Sequence, residues 1–116
     1  MFSLTQIIIG LSCILGYVLA FEGEITYYTP GLGSCGETDT EADKVVAMSP
    51  AQFSTVPDLC GKTITIEMDG KNTTAKVVDK CPSCDANSID VSPSVFQDLA
   101  SLDIGRAKIN WSLVTS

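Results

Sequence analysis

The chain contains no histidine. That absence removes the Ser-His-Asp triad, the Cys-His dyad and the HExxH metalloprotease site, and leaves carboxylates as the groups for acid-base work near neutral pH. It also argues against zinc, which takes four Cys or His ligands, commonly as paired knuckles; Cys35 and Cys60 stand singly and only Cys81 and Cys84 are paired. No metal is expected. Basic side chains are scarce, 7 Lys and Arg against 14 Asp and Glu, for a net charge of −7. Nucleic acid and anionic membrane are bound through clustered Lys and Arg, so neither is an expected partner. Solubility is the simplest reading of the charge, and a neutral polymer such as a polysaccharide meets no repulsion. The Gly-rich stretch GLGSCG (31–36) lacks the Lys and following Ser or Thr of a P-loop and the spacing of a dinucleotide fingerprint. It reads as a turn around Cys35, and no cofactor is expected.

Charge is missing altogether from residues 1–20, where IIIGLSCILGYVLA (7–20) is apolar over the length of a signal-peptide core and Val18-Leu19-Ala20 offers small residues at cleavage spacing. A signal peptide over 1–20, cleaved after Ala20, and an extracellular location follow; an uncleaved anchor is the alternative, because only the amino terminus supplies a basic start. Residues 21–116 then form one small domain, in the size range where covalent staples supplement the core. Cys13 departs with the leader, and an even set remains: Cys35, Cys60, Cys81 and Cys84. That parity argues for two disulfides in an oxidising compartment. Asn72-Thr73-Thr74 and Asn110-Trp111-Ser112 are acceptor sequons for N-glycosylation.

What is present from Phe21 onward is a series of short alternating runs broken by turn residues, the pattern of an all-β domain. GEITYYT (23–29) sets Ile25 and Tyr27 on one face, expected inward, and Thr26 and Tyr28 on the other. TITIEM (63–68) and TTAKVVD (73–79) flank Asp69-Gly70, the two-residue signal of a type I′ hairpin. RAKINWSLV (106–114) alternates with Ala107, Ile109, Trp111 and Leu113 on one side. With Val45 to Met48 and Ile89 to Val91 the count is about six strands. VAMSPAQF (46–53) and IDVSPSVF (89–96) repeat one plan: an apolar strand end, a Ser able to cap a helix, and Pro at the first helical position. Gln52, three residues after Ser49, is expected to complete a capping box. Chance similarity of two helix starts is the plain alternative. The repeat otherwise points to two pseudo-symmetric halves interleaved in a six-stranded closed barrel, which leaves no exposed strand edge.

DKCPSCDANSID (79–90) holds a Cys-Pro-Ser-Cys between two aspartates. A redox dithiol needs its first cysteine at a helix N-terminus in a βαβ unit, and here the polar string Asp85-Ala86-Asn87-Ser88 follows in an all-β pattern. The stretch reads as a stapled loop. The preferred pairing is Cys35 with Cys60 and Cys81 with Cys84; four cysteines allow three connectivities, and sequence leaves the others open.

As an ordered set, GEITYYTPGLGSCG, VVAMSPAQF, LCGKTITI, VVDKCPSCDANSIDVSPSVF and GRAKINWSLV resemble the secreted single-domain double-psi β-barrel proteins of fungi, the rare-lipoprotein-A-like, barwin-like and expansin-like group, with the loosenins the nearest named type. The resemblance runs from Gly23 to Val114. It implies a six-stranded double-psi β-barrel with two short capped helices, and a Cys35–Cys60 bridge. It further implies that Asp90, in a pattern like I-D-[LV]-S-x-x-[AV]-F, is the critical acid or base of a groove, that Asp79 lies across that groove, and that Thr26 lines it. Plant expansins carry His-Phe-Asp where this chain reads Ser88-Ile89-Asp90, and they add an aromatic-faced second domain, whereas residues 21–116 are expected to hold the barrel alone. Some fungal relatives carry a flavin-related oxidase label, and no dinucleotide fingerprint or redox site accompanies it here.

The leading functional expectation is a secreted, monomeric cell-wall protein that binds and loosens cellulose or chitin without net hydrolysis, through Thr26, Tyr28, Asp79 and Asp90. Tyr28 would serve as sugar platform, an apolar ring with a polar tip. The plainer reading of Asp79 and Asp90 is turn and helix N-terminal chemistry. Two other functions compete: glycan cleavage with Asp90 as general acid, and a protein-binding module such as a cysteine-protease inhibitor or secreted effector.

Overall fold

Short runs whose alternate residues are fully buried become the strands of a closed barrel. A computed structural model describes residues 20–114. The expected leader lies outside the described residues except for Ala20, which begins the first strand. The elements are β1 (Ala20–Tyr27), β2 (Val45–Met48), α1 (Pro50–Thr55), β3 (Thr63–Met68), β4 (Lys71–Lys80), β5 (Ile89–Val91), α2 (Pro93–Leu99), a 3-10 turn (Leu102–Ile104) and β6 (Ala107–Leu113). Around the barrel the strands run β1-β5-β2-β4-β3-β6 and close on β1. The expected all-β, six-stranded fold with two short helices is the one observed.

Two of the neighbouring pairs, β1 with β5 and β2 with β4, are parallel, and the remaining pairs are antiparallel. Exchanging β1 with β4, β2 with β5 and β3 with β6 returns the same ring with the same directions, so the repeat around the two Ser-Pro helix starts is a pseudo-twofold. The Asp69-Gly70 turn joins the halves with φ of 50° and 83°, both positive as a type I′ turn needs. The core inside the ring is made by Ile25, Val46, Met48, Ile64, Ile66, Val77, Ile89, Val91, Ile109 and Trp111, with Val95, Phe96 and Leu99 of α2 closing one end.

The helix starts differ from expectation. Ser49 caps α1 by accepting from the Gln52 amide at 3.3 Å, but Ser92 makes no such bond; its hydroxyl accepts from the Val45 amide of β2 at 3.3 Å. Nor does Gln52 complete a capping box. Its buried amide donates to the Ala86 carbonyl at 3.0 Å, because the stapled loop passes close enough to offer an acceptor.

Both disulfides form as preferred, Cys35 with Cys60 and Cys81 with Cys84. The first bridges a sequence separation of 25 and contributes about 3 kcal/mol in the chain-entropy model. The second is too short to stabilise much, and its effect is to shape the β4–β5 connection. Trp111 fixes that connection from below, donating from Nε1 to the Asn87 carbonyl at 2.8 Å while stacking on Phe21 at 4.4 Å. Gly23 allows the approach: a Cβ there would stand 2.0 Å from the Asn87 oxygen.

Candidate functional site

The strand registers set four residues side by side across one wall. Thr26 of β1 lies opposite Asp90 of β5, Asp90 opposite Ala47 of β2, and Ala47 opposite Asp79 of β4. Because Ile89 and Val91 point into the core, Asp90 between them points out. Asp79 reaches the same wall by an irregularity. Val46 pairs with Val77 but Ala47 pairs with Asp79, so Val78 is an extra residue on β4, a bulge that turns Asp79 from the inward to the outward parity. At about 4.8 Å between strands, the Asp90 and Asp79 backbones stand on the order of 10 Å apart, with the small, buried Ala47 as the floor between them.

Asp90 accepts one hydrogen bond, from the Thr26 hydroxyl at 2.9 Å. It ties no backbone amide of α2, so the helix N-terminal reading of this carboxylate does not describe it. Partial burial pushes its pKa up, against the lowering effects of the Thr26 bond and the Arg106 charge, while the Asp79 charge adds to the rise. Asp79 has the turn role in part, since its Oδ1 accepts from the Ser34 amide at 2.9 Å and the Lys80 amide at 2.8 Å. Tyr28 completes the group. Its phenol is pushed up to about 12 by burial and then by the charges of Asp79, Asp90 and Asp39, so it is a neutral O–H donor across the working pH range.

The sequence-named Thr26, Tyr28, Asp79 and Asp90 are therefore brought together. Tyr27, expected inward beside Ile25, is 37% exposed: it is the last residue of β1, at the barrel rim, where it meets Phe96 edge-on at 5.0 Å and donates to the Leu102 carbonyl at 2.9 Å. A shallow cleft of about 90 Å³ adjoins Asp90, lined also by Glu24, Ser88, Arg106 and the Cys81–Cys84 loop. Arg106 is a site residue that sequence reasoning missed; it holds Glu24 at 2.9 Å. Ala47 was missed too, although it stands two residues before Ser49 as Asp90 stands two before Ser92. A larger hollow, about 540 Å³, lies on the other side of Glu24, among Glu22, Glu67, Met68 and Lys108, and contains none of Thr26, Tyr28, Asp79 and Asp90. The exposed Asn72 and Asn110 are each in register with Glu67.

Near Tyr28, Asp39 is almost wholly buried and its Oδ2 has no hydrogen-bond partner. Burial first, then the neighbouring Glu37 and Asp43, raise its pKa, whereas the Lys76 ammonium holds Glu37 below the usual carboxylate range. Among the described residues no group of three His, Cys, Asp or Glu side chains is placed to hold a metal ion.

A closed six-stranded ring with two parallel pairs and an internal pseudo-twofold is a double-psi β-barrel. The chain belongs to the family of the papain inhibitor of Streptomyces mobaraensis, to which it is 40% identical over 101 residues, spanning 79% of this chain and 70% of that one. The solved Streptomyces papain inhibitor superposes with a TM-score of 0.76 at 36% identity, over 84% of this chain and 96% of the other. An expansin of Clavibacter michiganensis, solved in complex with cellohexaose, shares the fold with a TM-score of 0.75 at 21% identity, over 84% of this chain and 51% of that one. No protein-family model matches the chain.

Proposed function

We propose that this chain is an extracellular polysaccharide-binding protein that lays a neutral glycan along the Thr26–Asp90–Ala47–Asp79 row and, in the manner of a loosenin, weakens polymer packing without cleaving it. The carrying observation is Asp90: a half-buried carboxylate beside a cleft, oriented by one hydroxyl and with acceptor capacity left for sugar O–H groups. Tyr28 offers a neutral donor, and the surplus of acidic groups repels anionic polymers but not cellulose or chitin. Two disulfides support an extracellular setting. Non-hydrolytic action is supported by the state of Asp79, whose Oδ1 is engaged by two backbone amides rather than left to activate water.

The test is binding to insoluble cellulose and chitin by wild type and Asp90→Asn, with a reducing-sugar assay of the supernatant. A hydrogen bond to a charged group is worth about 1.5–3 kcal/mol, so the Asp90→Asn variant is expected to bind at least about tenfold more weakly, with no reducing ends released by either protein. Equal binding removes Asp90 from its role, and released reducing ends replace loosening by cleavage with Asp90 as general acid.

A second reading, inhibition of a cysteine protease, is favoured by a separate observation: the 40% identical relative that this chain spans over most of its length is a papain inhibitor. It needs no carboxylate on the row, and Asp90→Asn would leave it intact.

A further inference from the structure

Among the described residues the most exposed large apolar side chain is Leu32, at 76%, ahead of Ile104 at 54%. A lone exposed leucine signifies little by itself. What distinguishes Leu32 is how firmly its backbone is held. It bridges to Thr38, and around it the Gly33 amide donates to the Glu37 carbonyl at 2.9 Å and the Asp39 amide to the Gly31 carbonyl at 3.1 Å. The loop is then fastened to the barrel at four points: the Cys35 amide on the Val78 carbonyl at 3.1 Å, the Ser34 amide on Asp79, the Glu37–Lys76 ion pair at 2.7 Å, and the Cys35–Cys60 bridge. Gly33 presses so close to β4 that a Cβ there would stand 2.3 Å from the Val78 oxygen, whereas nothing lies within 4 Å of the same position at Gly31. A rigid mount that ends in a bare apolar side chain is ordered before any partner arrives, so little conformational entropy is lost on docking.

We propose that this loop is the inhibitory element of the chain, with Leu32 entering the substrate cleft of a papain-class cysteine protease. The inference rests on the second reading above and assigns it a site. Protease clefts are concave and lined by apolar pockets, and Gly31-Leu32-Gly33 presents one apolar anchor between two residues that have no side chain to obstruct entry. The Ser34 bond to Asp79 places the loop at the end of the acidic row. A protease seated on Leu32 therefore covers that end, and glycan and protease compete for one face of the molecule.

The inhibition constant against papain is measured for wild type, Leu32→Ser, Leu32→Met and Ile104→Ser, each with a thermal melt. Leu32→Ser is expected to weaken inhibition at least about tenfold, equivalent to about 1.4 kcal/mol, at an unchanged melting temperature. Leu32→Met, still apolar and of similar volume, retains inhibition, and so does Ile104→Ser. Inhibition by wild type that survives Leu32→Ser overturns the loop assignment and leaves the inhibitor reading standing. No inhibition by wild type overturns both.

Discussion

The two halves of the barrel follow one plan and carry different chemistry. Under the pseudo-twofold, Thr26 of β1 corresponds to Asp79 of β4, and Ala47 of β2 corresponds to Asp90 of β5, so the row across the wall reads Thr, Asp, Ala, Asp with the axis through its centre. The first half thus gives a hydroxyl and a methyl where the second gives two carboxylates. The helix starts diverge likewise: Ser49 caps its own helix, while Ser92 reaches across to the other half's β2. Symmetry closes the ring and fills the core; departure from symmetry makes one wall acidic without crowding four carboxylates together.

Restoring the symmetry should be damaging. Ala47→Asp would set a third carboxylate, almost without solvent, between Asp90 and Asp79, where desolvation and two like charges act together. At pH 7 we expect a loss of about 3 kcal/mol, a fall in melting temperature on the order of 12 °C. The sign with pH is definite: a carboxylate whose folded pKa is raised destabilises most when ionised, so the deficit should shrink as pH drops and the row takes up protons. Thermal melts at pH 7 and pH 4 decide it. If Ala47→Ser lowers the melting temperature as much at both, packing and not charge separates the halves at this position.

The helix starts give a smaller contrast. Ser49→Ala removes the cap on Gln52 and the 2.8 Å bond to the Ala86 carbonyl, whereas Ser92→Ala strips the acceptor from the Val45 amide. Each is expected to cost about 1 kcal/mol. Hydrogen exchange should tell them apart: the Gln52 amide accelerates by about fivefold in the first variant, the Val45 amide by a similar factor in the second. Faster exchange at the start of α2 in Ser92→Ala would mean that this serine acts as a cap after all.

Most of the architecture is legible in the sequence because it rests on local rules. Alternation predicts the strands, Asp69-Gly70 predicts the hairpin, and the duplicated Ser-Pro predicts the two-part barrel, each from physics confined to a few adjacent residues. The site is legible only where a motif stands in for geometry. Asp90 sits on the outer face by simple parity with Ile89 and Val91, but Asp79 lies on the same parity as Ala75 and Val77, and only the bulge at Val78 turns it outward. Nothing local encodes that bulge; it is settled by how β2 and β4 pair. Tyr27 misleads for the opposite reason, since parity continues while the barrel ends. Gln52 has the spacing of a capping box, yet a carbonyl from the Cys81–Cys84 loop, more than thirty residues onward, takes its side chain. Arg106 joins the site from the short segment between the 3-10 turn and β6, and no pattern announces it.

The finest difference between the halves concerns what the row costs when empty. Burial raises the Asp90 pKa, so between the unfolded and folded values the folded chain holds the extra proton; stability gained there is lost as pH rises through the folded value. At neutral pH the ionised Asp90 is therefore a small liability, tolerated on the wall that its partner half leaves as Ala47. Asp90→Asn removes the charge while keeping an acceptor for the Thr26 hydroxyl, and is expected to raise the melting temperature at pH 7 by up to about 4 °C, the shift of somewhat under 1 kcal/mol in a domain of this size. The gain should fade as pH is lowered, because the wild-type carboxyl becomes neutral as well. A gain that persists undiminished at pH 3 would show that it does not come from the charge; a loss at pH 7 would show that the Thr26 and Arg106 interactions outweigh desolvation and that Asp90 belongs to the structure more than to a ligand.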